Sequence, residues 1–221
     1  MRPSELSRRK LIYGALAAAL CPSLARAAVY CGPFDPRNGM QACEVGLNGL
    51  NITARNASTI QEKQNWCWAA CIQGVFAWHG CEIDQEEIVS KIFYGAIDQP
   101  ATGEQIFAAI NGVWEDRYGN GFIAQAAPLL DANYSYANPK AAAALSMELR
   151  DEYPLIVGTQ GHATIVTAMS WVNTPYGQQI TSITVRDPWP DSPRRRYLSE
   201  REFMGINLLM QVRVQPLAPR Y

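Results

Sequence analysis

Apolar residues recur at helical spacing in four stretches of the chain. After Asn65, apolar side chains three or four residues apart predict a helix that ends near Gly80, since glycine commonly follows a last helical turn. Capping-box patterns, in which a short polar residue is followed three positions later by Glu or Gln, precede the next two helices. These patterns are Asp84 with Glu87, before Ile88 and Ile92, and Thr102 with Gln105, before Ile106 and Ile110. Asn138-Pro139 then opens a predicted helix over 141–150.

The second half of the chain changes to the pattern of β-strands. Apolar and β-branched residues predict strands over 155–157, 162–169, 180–186 and 206–214, with a turn at 173–177. Residues 28–60 are rich in Gly, Asn and Pro, show no helical period and are predicted to be an irregular N-terminal arm of loops. Helices followed by an antiparallel sheet are typical of an α+β fold.

Residues 1–27 have the layout of an export signal. A basic segment with Arg8-Arg9-Lys10 precedes an apolar run over 11–20 and a small-residue site at Ala25-Arg26-Ala27. The paired arginines are similar to a twin-arginine signal, with an ordinary secretory signal as the alternative. We therefore expect an exported protein, periplasmic or secreted, whose main folded domain covers residues 61–221.

The charge balance bears on the partners of the mature chain. Five of the 19 basic side chains but only one of the 20 acidic ones lie in residues 1–27, so the remainder is net negative. Net acidity with few basic clusters argues against nucleic-acid binding. No other apolar run approaches the roughly 20 residues of a membrane span. The oligomeric state stays open.

Cys67 is the candidate nucleophile. It lies at the predicted start of the helix that follows Asn65, where free backbone N–H groups and the helix dipole favour the thiolate. A nearby imidazole would complete the activation. A buried structural cysteine or a disulfide half is the alternative.

The chain has two histidines, and only one of them suits a general base. His79 lies twelve residues along the same helix, roughly 18 Å from Cys67 at 1.5 Å per residue. His162 opens a strand and is free to meet Cys67 across the domain. Asp187 ends the next strand and is expected to orient the imidazole, with Trp189 covering the Asp–His hydrogen bond from water.

These residues together resemble the papain-like cysteine peptidases. The matching elements, in chain order, are Gln61 six positions before the nucleophile, Cys67-Trp68-Ala69, Gly161-His162-Ala163 and Asp187-Pro188-Trp189. An aspartate stands where the plant enzymes have asparagine, and the short chain looks like the compact bacterial branch with secreted effector proteases and bacteriocin-processing domains. The resemblance implies an N-terminal helical lobe with Cys67 packed against a C-terminal antiparallel β lobe with His162 and Asp187.

The resemblance also implies an oxyanion donor and a reaction. Gln61 is expected to donate to the oxyanion together with the Cys67 backbone N–H, and Gln64 is the rival donor. The expected activity is hydrolysis of peptide or amide bonds in a peptide or protein substrate through a thioester, without a cofactor. A deamidase or transpeptidase with the same triad, and a non-enzymatic exported binding protein on a papain scaffold, are the alternatives.

Five cysteines remain after removal of the signal, and an odd number leaves one thiol free for catalysis. Two disulfides joining Cys31 and Cys43 to Cys71 and Cys81 are slightly favoured, and a single Cys31–Cys43 bridge is the competing prediction. A straight helix separates Cys67, Cys71, His79 and Cys81 too widely for one zinc site, so no metal is expected.

Overall fold

The computed structural model describes residues 26–47, 60–130, 139–192 and 195–218. Within these ranges the helices are α1 (Cys67–Trp78), α2 (Gln85–Phe93), α3 (Gly103–Ile110), α4 (Pro139–Arg150) and α5 (Glu200–Met204). The strands are β1 (Tyr30–Cys31), β2 (Gln41–Gly46), β3 (Gly112–Glu115), β4 (Gly121–Leu130), β5 (Leu155–Thr159), β6 (His162–Thr174), β7 (Gly177–Arg186), β8 (Arg196–Tyr197) and β9 (Ile206–Pro216). The predicted signal at residues 1–25 and the cap residue Asn138 lie outside the described ranges.

All strand pairs in the described ranges are antiparallel and join in one sheet, which confirms the α+β class. The main path runs in the order β1-β2-β6-β5-β9-β4-β3, with β7 paired to β6 and β8 to β7. One edge of the long strand β6 pairs with β7, while its other edge pairs first with β5 and then with β2. β6 therefore links the part of the sheet near its first residue, His162, to the N-terminal strands.

The sheet has an apolar core on each face. Ile156 packs with α1, α2 and α3, whereas its neighbours Leu155 and Val157 pack with α4. Successive strand residues point to opposite faces, so the two groups of helices lie on opposite sides of the sheet. All residues of α1 are buried. The helix that begins at Cys67 is therefore held rigidly between the sheet and α2.

The N-terminal arm is more regular than the prediction of loops. β2 buries Cys43 and Val45 and pairs with β6 over the register from Gln41↔Asn173 to Gly46↔Ala168. The alternating pattern of β2 covers only six residues, and its partner strand lies about 130 residues later in the chain, so local composition did not reveal it. The described part of the arm is thus an edge of the central sheet, and residues 48–59 lie outside the described ranges.

Two further local predictions differ from the structure. Strands β3 and β4 occupy residues 112–130, to which the sequence pattern assigned no element; β4 contains Pro128 and lies close to the sheet's edge. Asp84 begins α2 but makes no side-chain cap hydrogen bond, because its carboxylate accepts from Arg117 at 2.7 Å. The capping box at Thr102 and Gln105 is confirmed, with both reciprocal bonds present.

The favoured disulfide pattern is wrong. Cys31 and Cys43 are bonded to each other across neighbouring strands, and Cys71 and Cys81 are free and buried. Cys43 packs in the core on the α4 face of the sheet, whereas Cys71 and Cys81 pack on the α1 face. A bridge between the two groups would have to cross the sheet, so the competing Cys31–Cys43 pairing is the one that forms.

None of the helices in the described ranges combines the length and the apolar composition that a membrane-spanning helix needs.

Candidate active site

The first turn of α1 is held by two tryptophans on either side of Cys67. The indole N–H of Trp66 donates to the carbonyl of Ile97 at 2.9 Å, and that of Trp68 donates to the carbonyl of Gln99 at 3.2 Å. Both indoles are almost fully buried. The segment after α2 therefore sets the position of the helix start from both sides of the cysteine.

Asn65 extends the same anchorage by one residue. Its backbone N–H donates to Asp98 Oδ1 at 2.8 Å, and its side-chain amide donates to the Asp98 carbonyl at 3.4 Å. Residues 97–99 thus contact three positions around the nucleophile candidate. Sequence reasoning missed this segment, because it has no motif of its own and acts mainly through backbone carbonyls.

Cys67 and Cys71 lie one helical turn apart and differ in their acidity. Burial would raise the pKa of Cys67, but hydrogen bonds with His162 and with the backbone N–H groups of Ala163 and Trp68, together with the imidazole charge, lower it below its usual value. Burial raises the pKa of Cys71 well above the usual range, and the charges of Cys67 and Asp187 raise it further. Cys67 is therefore the thiol poised to ionise.

His162 enters the site from a tight turn between β5 and β6. Thr159 and His162 are paired, and the two residues between them, Gln160 and Gly161, have φ values of 52° and 81°. Positive φ at both positions is the geometry of a two-residue hairpin whose twist matches the strands, and glycine adopts it without strain. The turn fixes His162 as the first residue of β6.

The imidazole joins Cys67 to Asp187. His162 Nε2 lies 2.8 Å from Asp187 Oδ1, and because an ionised carboxylate only accepts, Nε2 carries the proton. The other ring nitrogen, Nδ1, is left for the hydrogen bond with Cys67. The structure brings the three predicted residues into one hydrogen-bonded chain, whereas His79 lies at the far end of α1 beside Tyr153.

The charges in this chain support one another. Burial would lower the pKa of His162, but its hydrogen bonds to Asp187 and Cys67 and their negative charges raise the pKa to about 9. Burial would raise the pKa of Asp187, but the hydrogen bonds from His162 and from the Trp189 backbone N–H, with the imidazole charge and Arg196, lower the pKa to about 2. The lowered pKa of Cys67 and the raised pKa of His162 both shift the site toward a thiolate–imidazolium pair.

Trp189 contacts both Asp187 and His162. Its backbone N–H donates to Asp187 Oδ1 at 2.9 Å, and its ring lies edge-on to the His162 ring with centroids 6.4 Å apart. Trp189 is exposed, with 40% of its surface accessible to solvent. The backbone contact with the carboxylate was not foreseen; shielding of the Asp–His hydrogen bond by the ring stays a prediction.

Gln61 is buried beside the site, but its amide is engaged elsewhere. Nε2 donates to the carbonyls of Lys63 at 2.9 Å and Gln64 at 2.7 Å, while Oε1 is buried without a hydrogen-bond partner. The two carbonyls determine which end of the amide is the nitrogen, since a flipped amide would set oxygen against oxygen. The Gln61 backbone N–H donates to Pro188 at 2.9 Å, which ties its loop to the Asp187 loop. Gln64 is exposed.

A buried glutamine on α2 holds the Gln61 loop. Gln85 Nε2 donates to the Ile60 carbonyl at 2.8 Å, and Gln85 Oε1 accepts from the Glu62 backbone N–H at 3.0 Å. The second Nε2 hydrogen reaches Gln73 Oε1 at 2.9 Å. Gln85 is fully buried and its amide is fully satisfied, so it fixes the backbone on both sides of Gln61. Its polar character inside an apolar helix face was the signal that could have found it.

The candidate site opens into a cleft of about 400 Å³ that contains both Cys67 and His162. Residues from the starts of α1 and α3 form one side, and residues of the β5–β6 hairpin and β9 form the other. The described lining is otherwise free of ionisable side chains and consists of Trp68, Pro100, Ala101, Thr102, Gly103, Ile106, Gly158, Thr159, Gly161, Ala163, Asn207 and Leu208. The described lining therefore offers a bound molecule no ionisable partner other than Cys67 and His162.

In the described part of the chain, no group of three or more His, Cys, Asp or Glu residues is arranged to hold a metal ion.

Comparison with known proteins identifies the family. Residues 50–204 match the family described as papain-like cysteine protease AvrRpt2. The crystal structure of UfSP from C. elegans resembles the chain with a TM-score of 0.44 and 11% identity, over 86% of this chain and 38% of that one, so the chain spans less than half of the UfSP chain. No curated protein gives a significant match. Because the match to the family model covers most of its length, the chain belongs to the papain-like cysteine protease AvrRpt2 family.

Proposed function

We propose that this peptidase is exported and cleaves peptide bonds of a protein or peptide substrate with Cys67 as nucleophile, His162 as general base and acid, and Asp187 as the orienting group. One observation carries this proposal. Cys67, His162 and Asp187 form a continuous hydrogen-bonded chain whose thiol end opens into the uncharged cleft.

The proton inventory of this site accounts for hydrolysis. The Cys67 thiolate attacks the carbonyl carbon, and the tetrahedral intermediate collapses as His162 gives its proton to the leaving amine, which leaves a thioester. A water molecule then attacks the thioester while His162 takes its proton, and the thiolate leaves as the acid product forms. Asp187 remains ionised and holds the ring throughout.

The oxyanion is assigned to the Cys67 backbone N–H and the Gln61 amide. Both Nε2 hydrogens of Gln61 now reach backbone carbonyls, so one of them must turn from Lys63 or Gln64 to the substrate oxygen. Catalytic hydrogen bonds often form only in the substrate complex. The attachment of the Gln61 loop to Pro188 and Gln85 keeps the amide beside the site during that exchange.

The proposal includes a division of the domain into two lobes. The segment from α1 to α3 brings Cys67 and packs on one face of the sheet, and the β5–β6–β7 strands bring His162 and Asp187. The cleft between α1, α3 and the β5–β6 hairpin supports this division.

Export is proposed from the signal pattern of residues 1–27, and the Cys31–Cys43 disulfide supports it, because such bonds persist in oxidising compartments. The mass of protein recovered from the periplasm or medium tests this step: a chain beginning near Ala28 is expected, and a full-length intracellular chain would contradict it.

Other acyl acceptors would use the same residues. A deamidase differs from a peptidase in the substrate nitrogen that leaves, which belongs to a side-chain amide and not to a peptide bond. A transpeptidase differs in the acceptor that attacks the thioester, which is an amine and not water. The membership of a protease family favours hydrolysis, and it disfavours a binding protein without activity. Product masses from a protein substrate separate them: two fragments indicate hydrolysis, and a gain of about one mass unit without cleavage indicates deamidation.

The nucleophile is tested by alkylation of the purified native protein with iodoacetamide. Cys67 should be modified fast near neutral pH, because its pKa lies below the usual value, and peptide mapping should find the label on Cys67 alone. Cys71 is the internal control, since it is buried and its pKa is raised. Equal modification of Cys71, or no modification of Cys67 without denaturant, would reject the mechanism.

A further inference from the structure

The two oxygens of the Asp187 carboxylate have separate partners. Oδ1 accepts from His162 Nε2 and from the Trp189 backbone N–H. Oδ2 accepts from Arg196 Nε at 2.9 Å, and Arg196 Nη2 lies 2.8 Å from the same oxygen. The Asp187 side chain is only 3% exposed, so its charge needs these protein partners.

Arg196 is itself held from its other side. Its Nη1 donates to Glu202 Oε2 at 2.9 Å and its Nη2 to Glu202 Oε1 at 2.6 Å. Glu202 also accepts from the Ser199 backbone N–H and hydroxyl, where it forms the capping box of α5. The guanidinium therefore bridges two carboxylates, one in the site and one fixed at a helix start.

Signs of charge alternate along this line. Hydrogen bonds join five groups in order: a Cys67 thiolate, a His162 imidazolium, the Asp187 carboxylate, the Arg196 guanidinium and the Glu202 carboxylate. Cys71 on α1, whose pKa is raised, interacts electrostatically with Cys67, with Asp187 and with Arg186 at the end of β7. Glu202 thus balances the charge of Arg196, which reduces the repulsion between Arg196 and a protonated His162.

We infer that Arg196 is a positioning residue for the reaction: bound to Glu202, it fixes the Asp187 carboxylate so that Oδ1 faces the imidazole. This inference rests on the proposed function of the triad. With Oδ2 occupied by a rigid fork, the carboxylate cannot rotate away from His162. Without Arg196, Oδ2 would be a buried acceptor without its partner, and the carboxylate would turn toward water.

A double-mutant cycle separates positioning from simple loss of stability. Arg196→Gln should lower kcat/KM on a cleavable peptide about tenfold, as an orienting contact would. In the Asp187→Ala background the same change should cost less than about twofold, because no carboxylate is left to position. Additive losses, or no loss from Arg196→Gln alone, would overturn the inference.

Glu202→Gln supplies an independent test that keeps the Arg196–Asp187 contact. Glutamine preserves the capping box with Ser199 but removes a charge, and hydrogen bonds from Arg196 keep the pKa of Glu202 at about 2, so this charge is present throughout the working range. The uncompensated guanidinium should disfavour the imidazolium. The alkaline limit of kcat/KM, the pH above which kcat/KM falls because the imidazolium loses the proton that the leaving amine needs, should therefore move down by about 0.5–1 pH unit.

The matched controls are Arg117→Gln and Glu82→Gln, which make the same charge changes in an exposed ion pair. Neither control change should lower kcat/KM or move the pH above which kcat/KM falls. An unchanged alkaline limit in Glu202→Gln would overturn the inference about Arg196. The proposed function would still stand in that case if Cys67 of the wild-type protein is alkylated as expected. A wild-type Cys67 that does not alkylate would instead reject the proposed function itself.

Discussion

The starts of two helices, α1 and α3, line the same cleft, but their first turns are built differently. At α3 the Thr102 side chain accepts from the Gln105 backbone N–H, Gln105 returns the bond, and Glu104 stands in the first turn. At α1 the residue before Cys67 is Trp66, whose side chain makes no cap hydrogen bond, and no acidic residue stands in the first turn. The N-terminus of α3 is therefore capped by side chains and is called the closed end, whereas the N-terminus of α1 has no side-chain cap and is called the open end.

The difference shows how one structural element serves two purposes. At α3 a side chain and an acidic residue satisfy the N–H groups and the dipole, which stabilises the helix. At α1 these groups are left to favour a negative charge on Cys67, whose sulfur accepts from the Trp68 N–H. The stability that α1 loses without a cap is supplied by burial of its whole length and by the tryptophan hydrogen bonds.

The largest effects are expected at Cys67, which lies at the open end of α1, and at His162. Cys67→Ala and His162→Ala should each lower kcat/KM at least about a thousandfold, because they remove the proposed nucleophile and the proposed general base. Asp187→Ala removes an orienting group while the thiolate–imidazolium pair remains, so a loss of about 10–100-fold is expected, or about 1.4–2.7 kcal/mol. The measurement is kcat/KM on one cleavable peptide, with folding checked by circular dichroism. A His162→Ala enzyme as active as Asp187→Ala would show that another group is the base.

An effect between those of His162→Ala and Asp187→Ala is expected at Gln61, the proposed oxyanion donor. Gln61→Ala should lower kcat/KM by about 10²–10³, since one oxyanion donor is worth about 3–4 kcal/mol. Alkylation of Cys67 should continue at nearly the same rate, because that reaction forms no oxyanion. Gln64→Ala is the matched control and should retain activity. The reverse outcome for the two glutamines would assign the donor to Gln64.

The smallest effect is expected at the closed end. Thr102→Ala should lower the free energy of unfolding by about 1 kcal/mol, because it deletes the cap of α3. The alkylation rate of Cys67 should stay within about twofold, since no charge near the thiol changes. Denaturant unfolding measures the first quantity, and Thr102→Ser, which keeps the hydroxyl, is the control. A large change in Cys67 reactivity would mean that the two helix ends are coupled.

The elements predicted correctly are those with a local signal. The spacing of apolar residues in α1 and the Thr102 capping box act over three or four positions, so the pattern alone predicts them. Strand β2 has too short a pattern, and its edge bonds come from β6, far along the chain. Asp84 has a good local pattern, but Arg117 takes its carboxylate, so the predicted cap does not form.

Local sequence patterns are sufficient to place three residues: a cysteine at a helix start, a histidine after Gly161 and an aspartate at the end of a strand. These positions depend on neighbouring residues only, and the motifs that carry the family resemblance lie there. Which groups lie beside these three residues depends on the tertiary structure. Arg196 behind Asp187, Gln85 around Gln61 and the carbonyls of residues 97–99 are brought in from distant segments. Hydrogen bonds and burial, which set the ionisation of Cys67 and His162, depend on those distant contacts and not on the order of residues along the chain.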